Sequence, residues 1–382
     1  VSDATPTASH TERPRWQLIG PGLVVAATGV GASDMVATLV AGSRYGYALL
    51  WAVIAGVLIK IALVEGAGRY SLATGQTIFE GWRSLGAWTS WYFGPYIILW
   101  GFVYGATAMS SSALPLAAAF PALSLTTWAI CMGLAGFVMV WFGRYAFFER
   151  LSAALVGVMF VVVVGLAIIA APHVPSMLTG LVPVLPDGPD SVMYTLALAG
   201  GVGGTITLAA YGYWLREKGW STPAWMRVMR IDNAAAYVLT GVFVIAMLIV
   251  GAEVVRAAGV SLGASDEGLL DLRAVLAERY GPTVASGFLV GFWAASFSSL
   301  LGVWNGVSLM FADYWGNVRG LGSGHPDTRV GGRYFRLYLV WLTFPPMLLF
   351  QLDRPIGLII AYGVLGALFM PFLAVTLLGL LN

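Results

Sequence analysis

Gly200-Gly201-Val202-Gly203-Gly204-Thr205-Ile206-Thr207 lies midway along an apolar stretch long enough to span a bilayer, and Gly29-Val30-Gly31-Ala32-Ser33-Asp34 occupies the same place near the start of the chain. Glycine lets the backbone leave the helix, which strands N–H and C=O groups that lipid cannot satisfy. Such groups must face protein or a wet cavity. Two interrupted spans at corresponding places in two halves of a membrane protein point to a transporter's central binding site. The rest of the chain is read outward from these two breaks.

Of 382 residues, 59% are hydrophobic and only 10% charged, where a soluble domain carries charge on about a quarter. This composition belongs to a polytopic membrane protein. The net charge of +2 gives no reason to expect nucleic acid as a partner, and the single cysteine, Cys131, excludes an internal disulfide. Residues 1–17 are polar, with Pro6 and Pro14 and no signal-peptide core, and read as a disordered cytoplasmic tail. Ten apolar stretches follow, at 18–42, 46–68, 91–113, 123–142, 151–172, 192–215, 232–252, 283–312, 335–351 and 355–381. A connector at 173–191, with Pro175, Pro183, Pro186 and Pro189, reads as extended and external. It divides a first five-helix repeat, 18–172, from a second, 192–382. An odd number of spans per half inverts one half relative to the other, so the expected fold is an all-α, five-plus-five inverted repeat with helices 1 and 6 broken.

Placing the N-terminus inside puts fourteen of the 20 basic residues in cytoplasmic segments and five outside, with Lys60 within a span. Both termini are therefore expected in the cytoplasm. Leu269, Leu272, Val275 and Leu276 give 269–280 a helical spacing, read as an external amphipathic helix on the membrane or on the protein. Ser110-Ser111-Ser112 reads as the polar end of span 3, Asp232 and Asn233 as the N-terminal cap of span 7, and Gly316–Gly332 as a loose cytoplasmic loop.

Asp34 is the sharpest candidate for chemistry, because an acid inside an apolar span costs several kcal/mol without a partner or polar cavity. Against this stands a role limited to capping the free N–H groups of the break. A carboxylate among free carbonyls suits a hard cation. The candidate substrate-binding residues are Gly31, Asp34, Gly200, Gly201, Gly204, Thr205 and Thr207, with Asp34, Gly31 and Thr205 as metal ligands. The glycine cluster has a second reading as a close-packing face. Tyr211 and Tyr213 read as gate or packing residues, and Lys60 as a snorkelling or ion-paired lysine. Ser296, Ser298, Ser299 and Asn305 read as groups that hydrogen-bond across helices. The sequence holds no Walker loop and no Cys or His pair at metal spacing, which argues against an ATP-driven pump or a membrane hydrolase. High Ala, Gly, Val and Arg usage with few Lys points to a GC-rich bacterial genome, and the expected location is the bacterial plasma membrane.

Several motifs resemble those of the Nramp (natural resistance-associated macrophage protein) family. They are Gly20-Pro-Gly22, Ala41-Gly42-Ser43 with Gly46-Tyr-Ala-Leu-Leu-Trp51, Arg69 with Ala73-Thr-Gly75, Ala294-Ala295 with Ser298-Ser299, and Met370-Pro-Phe372. The resemblance implies a LeuT-type fold and transport of divalent transition metals. The family's first-helix Asp-Pro-Gly-Asn falls on Gly31-Ala32-Ser33-Asp34, so its Asp position is Gly and its Asn position carries the acid. Its Met-Pro-His element falls on Gly204-Thr205-Ile206, its helix-10 glutamine near Gly363, and its third-helix acids near Gly101, Ala108 and Ser111. A soft sulfur ligand and a protonatable relay are thereby lost, as in Nramp-related magnesium transporters. The expectation is a carrier of a divalent cation of the Mn²⁺ or Mg²⁺ class, working by alternating access without strong proton coupling and with no resident cofactor. The alternatives are a LeuT-fold carrier of a small organic solute and a non-transporting membrane scaffold.

Overall fold

The computed structural model describes residues 31–382 apart from 144, 189, 202, 259–266, 322–323 and 353–354. The expected N-terminal tail and the part of the first break before Gly31 lie outside the described residues. In chain order the helices are α1 (Ala32–Tyr45), α2 (Leu50–Thr74), α3 (Ile78–Ser84), α4 (Ala87–Ala119), α5 (Leu125–Phe142), α6 (Tyr145–Ile169) and α7 (Val174–Thr179). The second half holds α8 (Ser191–Gly201), α9 (Thr207–Glu217), α10 (Met226–Val250), α11 (Glu267–Tyr280), α12 (Pro282–Val318), α13 (Arg333–Thr343) and α14 (Pro355–Leu381). A π-helical segment, Gly251–Val255, prolongs α10, and a 3₁₀ segment, Pro345–Leu352, follows α13.

Among the described residues, seven segments are long and apolar enough to cross a membrane by length and composition. The remaining three of the ten expected spans are α1, α6, and α8 with α9 as two halves of one span. At 37 residues α12 is about 56 Å long, nearly twice the hydrocarbon core, so it tilts or projects from the bilayer. It packs against α4, α6, α9 and α13, and Trp304, Phe288 and Phe292 along it are fully buried.

Local signals set the ends. Thr77 and Glu80 form a reciprocal capping box that starts α3: Thr77 N–H donates to Glu80 Oε2 at 2.7 Å and Glu80 N–H to Thr77 Oγ1 at 3.2 Å. Helix α3 joins helix 2 to helix 3 of the first half, and α11 joins the corresponding helices of the second. Their contacts lie at opposite ends: Arg83 of the α3 turn donates to the Asn317 carbonyl at 3.1 Å, and Arg273 of α11 to the Ala118 carbonyl at 2.7 Å. The two halves are therefore inverted.

Three local readings are corrected. Ser110, Ser111 and Ser112 do not end span 3; all three are buried inside α4, where Ser111 and Ser112 return their hydroxyls to backbone carbonyls of the preceding turn. Asp232 and Asn233 are not a cap, because α10 begins at Met226 and both lie within it, 1% exposed. The connector is not wholly extended. It contains α7, and the Gly180 carbonyl just after that helix accepts from Trp51 N–H at 2.9 Å, while Val184 C=O accepts from the Trp51 indole at 3.2 Å. The amphipathic helix exists as α11 and packs on α4 and α12, with Leu276 fully buried.

Candidate functional site

Helix α8 ends at Gly201 and α9 begins at Thr207. Gly203 and Gly204 both have positive φ, +80° and +89°, a region that side chains other than glycine's rarely enter. Two such residues in succession stop the helix, and the last α8 carbonyls and first α9 N–H groups lose their regular partners. Part of the loss is made good locally, with Leu208 N–H donating to Thr205 C=O and Ala209 N–H to Ile206 C=O, each at 3.2 Å. Tyr237 Oη donates to the Gly203 carbonyl at 3.2 Å.

The break is walled closely. A Cβ on Gly203 would stand 3.2 Å from both Tyr237 Cε1 and Thr240 Cγ2 of α10, and 3.6 Å from Cδ of the fully buried Lys60 of α2. Thr205 presses on Gly366 of α14, where any Cβ would collide with its methyl group. Gly200 is helical, and its missing side chain is replaced by Ala367, 2.8 Å from the position its Cβ would take. Gly200 thus makes a helix-packing contact, and the non-helical segment proper is Gly203–Ile206.

Helix α1 supplies the facing wall. Its carboxyl end meets the amino end of α8: the Arg44 guanidinium lies 5.4 Å from the Tyr194 ring centroid, and the Tyr45 and Tyr194 rings are 6.0 Å apart. The two helices pack together and run antiparallel from that point. Seven residues of α8 beyond Tyr194 reach Gly201, about 10 Å away, and seven residues of α1 before Tyr45 reach Thr38, the same distance. Thr38 is therefore level with the end of α8, and Gly31–Asp34 is level with the break. Asp34 stands in the first turn of α1, where the helix dipole favours negative charge; its side chain lies outside the described residues. Gly31 is buried, and its carbonyl accepts from Met35 N–H at 3.2 Å.

Three hydroxyls are left over at this level. Thr38, Thr205 and Thr207 are at most 2% exposed, and their Oγ1 atoms have no hydrogen-bond partner among the described residues. Buried hydroxyls in that condition normally hold water or an ion. Among the described residues no group of three or more His, Cys, Asp or Glu exists that could bind a metal. The oxygen donors at the break are thus hydroxyls and backbone carbonyls, with Asp34 as the acid in the adjoining helix turn. Thr38 was missed in the sequence, although its spacing of four from Asp34 put both on one helix face. Tyr237 and Thr240 carry no local signal; only the packing of α10 brings them to Gly203.

Contacts fasten the helices on either side of the break. At the expected outer end, α1 and the α10 extension touch backbone to backbone. A Cβ on Gly42 would be 2.5 Å from Leu248 O and 3.1 Å from Gly251 Cα. Tyr47 Oη donates to Glu253 Oε1 at 2.7 Å, and His173 N–H donates to the same oxygen at 3.0 Å. Burial and then the Glu253 carboxylate push the Tyr47 phenol well above its ordinary range, so it stays a neutral donor. At the inner end, α9 is fastened on two sides. Tyr211 Oη donates to Asp232 Oδ2 of α10 at 2.7 Å, and Tyr213 Oη to Asp313 Oδ2 of α12 at 2.8 Å. Asn317 Nδ2 donates to Asp313 Oδ1 at 3.0 Å, and Arg216 Nη2 to the Gly75 carbonyl at 2.5 Å.

The family described as natural resistance-associated macrophage protein-like matches residues 22–382, nearly the whole chain. This chain belongs to the Nramp family. Among curated Nramp relatives, the divalent metal cation transporter MntH of Chromohalobacter salexigens is 30% identical over 209 residues, covering 51% of this chain and 45% of that protein. MntH of Mycobacterium leprae is 25% identical over 316 residues, covering 77% of this chain and 70% of the relative. The match to the first of these spans less than half its length. A mutant of the Eremococcus coleocola manganese transporter superposes with a TM-score of 0.76 at 17% identity, covering 97% of this chain and 81% of that one. MhsT in complex with L-phenylalanine gives 0.64 at 16%, covering 94% and 87%. At such identities the likeness is one of fold, the LeuT-type arrangement with an interrupted sixth span that α8 and α9 display. Within that fold this Nramp chain has glycine and threonine at Gly204-Thr205 and no acid at Gly101, Ala108 or Ser111 of α4.

Proposed function

We propose that this Nramp chain carries a divalent metal cation across the membrane by alternating access, with the ion held between the first turn of α1 and the break between α8 and α9. The observation that carries the reading is a set of buried hydroxyls with no hydrogen-bond partner among the described residues: Thr205 and Thr207 at the break itself, and Thr38 in α1, level with the end of α8. Asp34 supplies the charge, and neutral oxygens from Gly31, Gly201, Gly204, Thr205 and Thr207 complete a hard ligand set. Such a set suits Mn²⁺ or Mg²⁺ and offers no thioether to softer ions. Helix α4 lacks an acid at the three positions above, and Ser111 spends its hydroxyl on the Thr107 carbonyl. Movement of the cation is accordingly uncoupled from protons. The names borne by the MntH relatives, divalent metal cation transporters, agree with this reading.

One observation favours a second reading. Lys60 is fully buried and its stem packs against Gly203, and a basic side chain beside the break suits an organic solute that bears an acid. Thermal unfolding of the purified chain separates the two. MnCl₂ and MgCl₂ should each raise the midpoint by about 2–4 °C at saturating concentration, and amino acids should neither do so nor compete. A shift with an amino acid and none with either metal would transfer the site to the second reading.

A further inference from the structure

Away from the transport route, a groove of about 1410 Å³ opens on the side of the bundle between α4, α12 and α13. Its floor is apolar, formed by residues such as Trp91, Ile98, Leu99, Leu337 and Trp341. Trp91 is 79% exposed and Leu337 56%. Three arginines stand at one end: Arg319 after α12, and Arg333 and Arg336 in the first turn of α13. None of them pairs with a carboxylate among the described residues. Arg319 lies over the Trp315 ring at 5.4 Å and Arg336 over Trp141 at 4.8 Å, so the guanidinium groups are held at the groove's mouth by aromatic faces.

Two cations in the first turn of α13 are set against the helix dipole, whose positive end favours acids. An anion bound there removes that conflict and uses the first N–H groups of the helix as well. From Arg333 to Trp341 the groove runs eight residues along α13, about 12 Å, close to the hydrocarbon depth of one leaflet, about 15 Å. The arginines lie at the end of the bundle that the basic-residue distribution assigns to the cytoplasm.

We infer that this groove is a binding site for an anionic phospholipid of the cytoplasmic leaflet, with the phosphate on Arg319, Arg333 and Arg336 and an acyl chain lying along Leu337 and Trp341. A charged cluster at headgroup level above an apolar slot of leaflet depth is the complement of such a lipid. A second copy of this chain fits less well. Two copies related by an axis normal to the membrane would bring the same depth of each together, and the arginine clusters would face one another. The groove stands apart from the cargo, and its occupant is the same whichever solute the chain carries.

Thermal unfolding of the full chain in neutral detergent tests this, with phosphatidylglycerol or phosphatidylcholine added and retained lipids counted by native mass spectrometry. Phosphatidylglycerol should raise the midpoint by at least about 3 °C and remain at about one molecule per chain, and phosphatidylcholine should do neither. The triple variant R319Q/R333Q/R336Q should lose both effects. A variant with the same charge change elsewhere, R13Q/R15Q/R227Q, should keep them. Leu337→Trp, which fills the slot without altering charge, should weaken retention at least tenfold and keeps the test open if the triple variant does not fold. Equal shifts with both lipids, equal loss in the two triple variants, or a lipid-independent dimer broken by Leu337→Trp would overturn the assignment.

Discussion

Asp34→Ala is expected to lower Mn²⁺ affinity at least about 100-fold in isothermal titration, beyond the about 10–100-fold typical of losing an outer-shell partner. Every other candidate donor at the break is neutral: the hydroxyls of Thr38, Thr205 and Thr207 and the backbone carbonyls freed where α8 ends. A dipositive ion among buried groups depends on an anionic ligand far more than on any hydroxyl, because charge is screened weakly there. Thr205→Val, which removes one neutral oxygen and keeps the shape that presses on Gly366, should cost only about tenfold. Affinity of Asp34→Ala within fivefold of the parent would confine Asp34 to the capping role.

Gly42→Val should open the outer end. The space a side chain needs there is filled by the Leu248 carbonyl at 2.5 Å, with Ala252 N and Gly251 Cα each at 3.1 Å. These are backbone atoms and cannot turn aside as a side chain would, so the outer half of α1 must move off the α10 extension. Overpacking of this kind costs about 1–3 kcal/mol, which shifts a two-state equilibrium about five- to 150-fold. Its readout is labelling of Thr38→Cys by a membrane-impermeant thiol reagent, in a background where the exposed Cys131 is serine. Labelling should quicken at least tenfold. Unchanged labelling with a lower unfolding temperature would make the Gly42–Gly251 contact structural only, with no part in gating.

What could be read in the sequence was whatever backbone geometry demands of residue type. The second break was legible because residues other than glycine rarely adopt the φ values found at Gly203 and Gly204. The spans were legible because each needs about 20 apolar residues. Meaning that depends on a distant neighbour was not. Asp232 and Asn233 look like a cap from their local sequence, yet Asp232 accepts from Tyr211 and Asn233 donates to the Ile61 carbonyl, partners 21 and 172 residues away. Ser111 and Ser112 look like the end of a span but are tolerated inside α4, since a serine can satisfy itself on its own helix. Gly200 was grouped with the break by adjacency alone, and only the position of Ala367 shows its packing contact. Arg319, Arg333 and Arg336 entered the sequence reading merely as orientation signals. Their convergence needs the chain to turn between α12 and α13.

The most direct test of the central claim is uptake of Mn²⁺ and Mg²⁺ into proteoliposomes at symmetric pH, with an internal pH dye recorded in parallel and Asp34→Ala as the comparison. At least one of the two ions should enter, internal pH should stay constant, and the variant should be inactive. Entry of neither ion would contradict that claim, and acidification in step with cation entry would contradict the uncoupled mechanism.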